Sequence, residues 1–142
     1  MTIMQTTLSV RAPRPGLHEF TADVVRFVRE CGCERGLLTL FVRHTSCSLL
    51  VQENADPDVR ADLDEFFRRL VPPGNDPAMH WVRHGMEGPD DMPGHIKAAL
   101  TATSLSIPVM AGQLVLGRWQ GIFLFEHRDR SPAREVVLHL SQ

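Results

Sequence analysis

The stretch Leu105-Ser-Ile-Pro-Val-Met-Ala-Gly-Gln-Leu-Val-Leu-Gly-Arg-Trp-Gln-Gly-Ile-Phe-Leu-Phe-Glu-His-Arg-Asp-Arg-Ser-Pro-Ala-Arg-Glu-Val-Val-Leu-His-Leu140 decides the fold class. It reads as four strands, over residues 105–110, 114–116, 119–126 and 135–140. Turns at Gly112, at Gly117 and over residues 128–133 separate them. Strands crowded this closely, after a mixed first half, predict an α+β fold: one compact domain over residues 1–142, with a mostly antiparallel folded sheet or sandwich.

Upstream, Met4, Thr6, Leu8 and Val10 alternate with their neighbours as in a first strand, which Pro13, Pro15 and Gly16 break. Val24, Val25, Phe27 and Val28 have helical spacing, with Thr21 as N-cap and Gly32 as stop. The near-continuous apolar run Gly36–Val42 predicts a buried strand that delivers the chain to His44-Thr45-Ser46. A short strand over residues 49–52 ends at Glu53-Asn54. Asp56 caps the next helix and Pro57 opens it, with Val59, Leu63, Phe66, Phe67 and Leu70 as its apolar stripe, before Pro72-Pro73-Gly74. Residues 75–93 lack a period, and 80–84 read as a short strand or turn. A third helix begins over residues 91–93 and runs through Ile96, Ala99 and Leu100.

Composition narrows the function. With a net charge of -2 and both signs interspersed, no basic field exists to hold a nucleic acid backbone. The apolar runs are far too short to span a membrane, and residues 1–10 alternate rather than form a leader. Cys31, Cys33 and Cys47 make no disulfide framework, which fits a reducing cytoplasm. Lys97 is the only lysine beside fourteen arginines, which codon bias explains most simply.

Candidate chemistry concentrates in His80-Trp-Val-Arg-His84-Gly-Met-Glu87-Gly-Pro-Asp90-Asp91-Met-Pro-Gly-His95, three histidines and three carboxylates in sixteen positions. Imidazole with carboxylate suits zinc or another divalent metal, and equally acid–base work near neutral pH. Asp91 and His95 share a face if the helix starts early, and otherwise Asp91 is only a cap. In His44-Thr45-Ser46, Ser46 and Ser48 can donate to a phosphate beside His44, or the strand end satisfies its own backbone. Cys47 reads as packed. Glu53-Asn54 binds a ligand or, more simply, caps the following helix. One of Arg128, Arg130 and Arg134 can clamp a phosphate, although a solvated turn is the default.

Three blocks then carry a resemblance: residues 43–54, RHTSCSLLVQEN; 87–97, EGPDDMPGHIK; and 112–121, GQLVLGRWQG. In this order and spacing they resemble the YjbQ-like family, also called the secondary thiamine-phosphate synthase family. The resemblance implies a homotrimer with sites near subunit contacts and a divalent metal, zinc or magnesium, near the histidines. It also implies a weak synthase activity joining a pyrimidine pyrophosphate to a thiazole phosphate, so that the partner is a small phosphorylated metabolite. Carried across, its polar pattern makes His84, Asp91 and His95 metal ligands, and His44, Ser46, Glu53 and Glu87 catalytic. Thr45, Asn54, Lys97, Gln113, Trp119 and Gln120 then bind substrate, and His80 drops out. Two departures stand out. Arg118 replaces the family's usual threonine, and the loop Gly-Pro-Asp90-Asp91-Met-Pro leaves open which aspartate is the ligand. A metal- or metabolite-binding protein with incidental synthase activity, and a metal-dependent phosphoester hydrolase, are the competing readings.

Overall fold

The computed structural model describes residues 3–142, so residues 1 and 2 of the segment read for a leader lie outside it. Among the described residues the chain runs β1 (Ile3–Val10), β2 (Gly16–Glu19), α1 (Thr21–Cys31), β3 (Gly36–Val42), β4 (Cys47–Glu53), α2 (Pro57–Leu70), a 3₁₀ turn (Pro77–Met79), α3 (Asp91–Leu100), β5 (Ser104–Met110), β6 (Gln113–Leu114), β7 (Gln120–Glu126) and β8 (Arg134–Ser141). The strands form two antiparallel sheets, a five-stranded one in the order β1-β8-β3-β5-β6 and a three-stranded one in the order β2-β7-β4. The expected α+β architecture with three helices is the one observed. Among the described residues, no helix is long and apolar enough to cross a membrane.

Register follows from which face each residue must bury. Leu38 lies opposite Leu140 and Leu40 opposite Leu138, all buried, and Val42 and Val136 continue the row. Ile122, Leu124 and Leu49 of the smaller sheet meet them in one core, with Val24 and Val28 of α1. Burying these faces is the main driving force for the fold. The smaller sheet is covered on its outer face too. Phe123 and Phe125 are fully buried there, and the Phe67 ring of α2 packs edge-on to Phe125 at 5.2 Å. That double covering explains why Ile122-Phe-Leu-Phe125 is apolar without alternation. The larger sheet keeps a solvent face, where Phe41 is half exposed.

Several local expectations change. Thr21 is the first helical residue rather than the N-cap, and Phe20 takes the cap position without a side-chain bond. The Thr21 hydroxyl donates instead to Glu19 Oε2 and accepts the Ile122 N–H, both at 2.8 Å. Gly32 does end α1, in the left-handed conformation at φ 64°. β2 was invisible to pattern reading, since Gly16-Leu-His-Glu19 holds a single apolar residue; backbone pairing with β7 makes it a strand. Pairing with the same strand extends β4 beyond residues 49–52 to Cys47–Glu53. β6 is Gln113–Leu114, not 114–116, because a two-residue turn at Ala111 and Gly112, both at positive φ, closes its hairpin with β5. Of the strand or turn read over residues 80–84, a turn forms at residues 80 and 81, and 82–84 are irregular. The apolar stripe of α2 is real, but no residue of this helix is fully buried, and Phe66 and Leu70 are more than half exposed.

β7 ends in buried Glu126, and buried His127 follows it. Glu126 is fully buried and accepts from Arg134 of β8 through Nε (2.7 Å) and Nη2 (2.5 Å). Arg134 Nη2 also donates to Ser46 Oγ at 3.0 Å, so one guanidinium joins both sheets and the β3–β4 connection. Next to it, His127 Nε2 lies 2.9 Å from Ser48 Oγ, which lies 2.5 Å from Thr101 Oγ1. Burial first, then the charges of Lys97 and Arg134, lower the His127 pKa from 6.5 to about 3.

Two stability measurements test this network. Arg134→Met strands a buried carboxylate and lowers unfolding free energy by about 3–5 kcal/mol in urea titrations. A loss under about 1 kcal/mol would mean that water already reaches Glu126. The unfolded His127 binds a proton that the folded one refuses, so its contribution is whole above pH 6.5 and is lost as pH falls from 6.5 towards about 3. In that window the unfolding free energy of His127→Gln drops less steeply than that of the parent, by up to about 1.4 kcal/mol per pH unit. Parallel slopes would contradict a neutral His127.

Candidate functional site

Helix α3 begins early enough to put Asp91 and His95 on one face. Asp91 is its first residue and Pro93 is accommodated in the first turn, where its missing N–H costs nothing. The loop before the helix returns His84 to the same place. His84 Nε2 lies 2.5 Å from Asp91 Oδ2 and His95 Nε2 lies 3.3 Å from the same oxygen. One ligand atom from each of the three residues falls within 4.8 Å of the others. The imidazoles are partly exposed, while Asp91 is buried.

The surroundings hold these groups in orientation. His95 Nδ1 donates to the Thr45 carbonyl at 3.0 Å, which leaves Nε2 with its lone pair directed at the cluster. Arg128 Nη1 binds Asp91 Oδ1 at 2.5 Å, so Oδ2 alone faces the imidazoles. The same guanidinium donates through Nε to Asp90 Oδ2 (3.1 Å) and through Nη2 to the Glu87 carbonyl (3.1 Å). Burial raises the Asp91 pKa, but the hydrogen bond with His84 and the charges of Arg128 and His95 outweigh it and hold the carboxyl below its usual range. Asp90 is likewise held low against its own burial, by the Asp129 N–H and Arg128. Of the two aspartates, Asp91 lies among the imidazoles and Asp90 is turned to Arg128. The His80 ring hydrogen-bonds the Pro77 carbonyl at 3.2 Å, and His80 is not part of the cluster.

The remaining candidates divide into two groups. Near the cluster, Ser46 is buried and receives Arg134, and exposed Thr45 contributes its carbonyl. His44 lies between two donors, the Glu135 N–H at Nε2 (2.9 Å) and Arg134 Nη1 at Nδ1 (3.3 Å), of which its neutral ring accepts one. Burial and then the Arg134 charge lower its pKa. Lys97, half-buried on the last turn of α3, is lowered by burial too. At the opposite end of β4, Glu53 accepts the Ala55 and Asp56 N–H groups at 3.0 Å each, and Asn54 Nδ2 donates to Glu19 at 3.0 Å. Gln120 pairs with Glu53 in the sheet and accepts the Gly117 N–H, and exposed Trp119 carries the Arg118 guanidinium 4.7 Å from its ring centre. Gln113 is exposed at the start of β6. Strand rise places Glu53 on the order of 20 Å from Ser46. Within one copy, therefore, Glu53, Asn54, Gln113, Trp119 and Gln120 do not meet His84, Asp91 and His95.

Reading the sequence missed the contribution of β7 and its exit. Glu126, His127 and Arg128 are three consecutive residues, and each holds a different part of this region. Arg128 and Arg134 were expected on a solvated turn; both instead reach carboxylates inside the molecule. The available signal was the position of Glu126-His-Arg at the end of the most apolar strand, where a charged triplet must find partners.

Residues 6–142 match the family model described as UPF0047 protein YjbQ-like. A UPF0047 protein of Synechocystis is 50% identical over 137 residues, covering 96% of this chain and 90% of the relative. UPF0047 protein YjbQ of Escherichia coli O157:H7 is 40% identical over 96% of both chains. Among solved structures, a conserved hypothetical protein from Thermus thermophilus superposes with a TM-score of 0.77 at 34% identity, covering 94% of this chain and 97% of that one. A YjbQ/UPF0047 protein of Clostridium acetobutylicum gives 0.77 at 29% identity, covering 97% and 99%. With the family model matched over nearly its whole length, the chain belongs to the UPF0047 YjbQ-like family.

Proposed function

We propose that the chain holds one divalent metal with His84, Asp91 and His95 and uses it on a small phosphorylated metabolite. The transfer is of the kind that joins a pyrimidine pyrophosphate to a thiazole phosphate with loss of pyrophosphate. The observation that carries the metal is the convergence of two imidazoles and one carboxylate within 4.8 Å. The reaction class rests on the resemblance alone. Two nitrogens and one oxygen suit zinc better than magnesium, which prefers an all-oxygen shell. Three protein ligands leave a position for substrate or water, the pattern of a reactive rather than a structural site.

When bound, the metal neutralises the charge that grows on the departing phosphate oxygens. The chain's own groups then have distinct tasks. The Thr45 carbonyl fixes the His95 tautomer. Arg128 keeps Asp91 to one free oxygen. Lys97 supplies a cation for phosphate, and Glu87, exposed beside Asp91, is the group for moving a proton. His44 and Ser46 serve as positioning groups, their hydrogen bonds being already taken. Glu53, Asn54, Gln113, Trp119 and Gln120 take part in this reading only through a neighbouring copy, as in the homotrimer that the resemblance implies. Their separation from the cluster in one copy favours the second reading, a metal- or metabolite-binding protein whose synthase activity is incidental.

Titrating zinc into chelator-treated protein by calorimetry is expected to show one site per chain. His84→Ala then weakens it by more than about 100-fold, beyond the loss typical of a supporting group. Unchanged affinity would remove the cluster from metal binding. With the two thiamine precursors and metal, product is expected from the parent and not from His84→Ala. Equal turnover by both would exclude these residues from the reaction, and metal binding without turnover would favour the binding protein.

A further inference from the structure

Beside the metal cluster, between α2 and α3, lies a cavity of about 400 Å³ that none of His84, Asp91 and His95 lines. Pro73, Pro89 and Pro93 give it flat apolar walls, and Lys97, Asn75 and His127 give it polar groups. Its lining is mixed, with the carboxylates of Asp64, Asp90 and Asp129 and the Arg68 guanidinium around Lys97, and its size is that of a small-molecule pocket.

Two of its polar groups lack partners. Lys97 is half-buried and its ammonium makes no hydrogen bond or ion pair among the described residues. The nearby acids are engaged or solvated: Asp64 binds Arg68 at 2.6 Å, Asp90 binds Arg128 at 3.1 Å, and Asp129 is exposed. His127 is 4% exposed and its Nδ1 has no hydrogen-bond partner. Buried polar atoms without a partner are uncommon and costly. Because this nitrogen is closed even to water, a partner reaches it only where the wall between it and the cavity gives way as a ligand enters.

The hydroxyls behind His127 let it serve either kind of partner. Thr101 Oγ1 lies 2.7 Å from the Lys97 carbonyl and 2.5 Å from Ser48 Oγ, but has one proton to give. If it donates to Lys97, Ser48 donates to Thr101, His127 Nε2–H donates to Ser48, and Nδ1 is an acceptor. If it donates to Ser48, Ser48 donates to His127 Nε2, and Nδ1–H is a donor. The Lys97 carbonyl keeps the Thr101 backbone N–H at 3.1 Å in both cases, so the exchange strands no group.

We propose that this cavity binds a small organic phosphate, with the anion on Lys97, a planar body between the proline rings, and an uncharged heteroatom of that body paired with His127 Nδ1. The assignment deepens the preceding reading by naming the ligand class and where it sits, and it rests on that reading only in making this ligand the substrate.

Metal-free protein is therefore the right sample. Binding of inorganic phosphate, phenyl phosphate and pyridin-3-yl phosphate is measured by calorimetry, with ¹⁵N-labelled histidine followed by NMR. Phenyl phosphate is expected to bind more tightly than inorganic phosphate, and the pyridyl ester more tightly again. Lys97→Met is expected to weaken all three by about tenfold or more, the scale of a charged hydrogen bond. The pyridyl ester should shift the His127 Nδ1 resonance in the parent protein, and its advantage over phenyl phosphate should vanish in His127→Gln. The shift is read on unmutated protein, so an unfolded variant does not spare the proposal. Equal affinity of Lys97→Met, no binding at millimolar ester, or an unmoved His127 resonance would overturn it. If zinc fails to bind while the esters bind as described, only the metal reading falls; if the esters fail while zinc binds, only the cavity does.

Discussion

One buried ion pair sets the geometry on which the rest depends. Arg134 enters from the larger sheet and Glu126 from the smaller, both excluded from water, and they meet through two nearly parallel hydrogen bonds. Desolvating two charges is expensive and is offset only when every remaining lone pair and proton is used. Here the carboxylate meets that condition. Glu126 also accepts the N–H groups of His127 and Arg128, at 3.1 and 3.2 Å, while Arg134 reaches the Ser46 hydroxyl. The pair thus anchors the last residue of β7, the first of β8 and the connection between β3 and β4 at one point.

That anchor also directs the chain beyond β7. With Glu126 turned inward and its carboxylate curling back on the next two N–H groups, the backbone leaves the strand in a set direction. His127 is carried under α3, where its ring packs 4.4 Å from that of Phe125, and Arg128 is carried to the start of the helix. Arg128 then does for the loop what Arg134 does for the sheets, gathering Asp90, Asp91 and the Glu87 carbonyl around one guanidinium. The approach is close. A Cβ at Gly94 would stand 3.5 Å from both Arg128 and His127 and 3.6 Å from Ser46, ordinary contact distances that leave little room for more than a methyl group. The imidazole–carboxylate cluster is therefore built on strand ends and a helix start, with the loop held against them, which is how a rigid frame positions reactive groups.

Much of this was legible in the sequence, for reasons that can be named. The Asp56-Pro57 start of α2 and the Gly32 stop of α1 are local signals that need no tertiary help, and both appear as read. The segment from His84 to His95 announced itself because imidazoles and carboxylates rarely crowd a Gly- and Pro-rich loop without a use. What escaped is what depends on partners distant in sequence. β2 is a strand only because β7 lies beside it, and Arg134 looked solvent-bound because Glu126 reads as the polar end of an apolar strand. His127 looked like one histidine among seven, since nothing local reveals Ser48 and Thr101 behind it. Long-range pairings of this kind carry the buried polar network, and no periodicity encodes them.

The same reasoning explains why three polar blocks that are close in character are not close in space. β4 runs from Cys47 to Glu53 without interruption, paired throughout with β7 from Glu126 back to Gln120. A paired strand cannot fold back on itself, so residues at its two ends are held apart by its own length. Ser46 therefore belongs with Arg134 and the histidine cluster, while Glu53, Asn54 and Gln120 belong with Glu19 and the opposite rim. Any chemistry that needs both ends must bring a second copy's rim to the first copy's cluster. A single copy brings together, at the exit of one strand, an imidazole–carboxylate cluster, a lysine unpaired among the described residues and a neutral buried histidine.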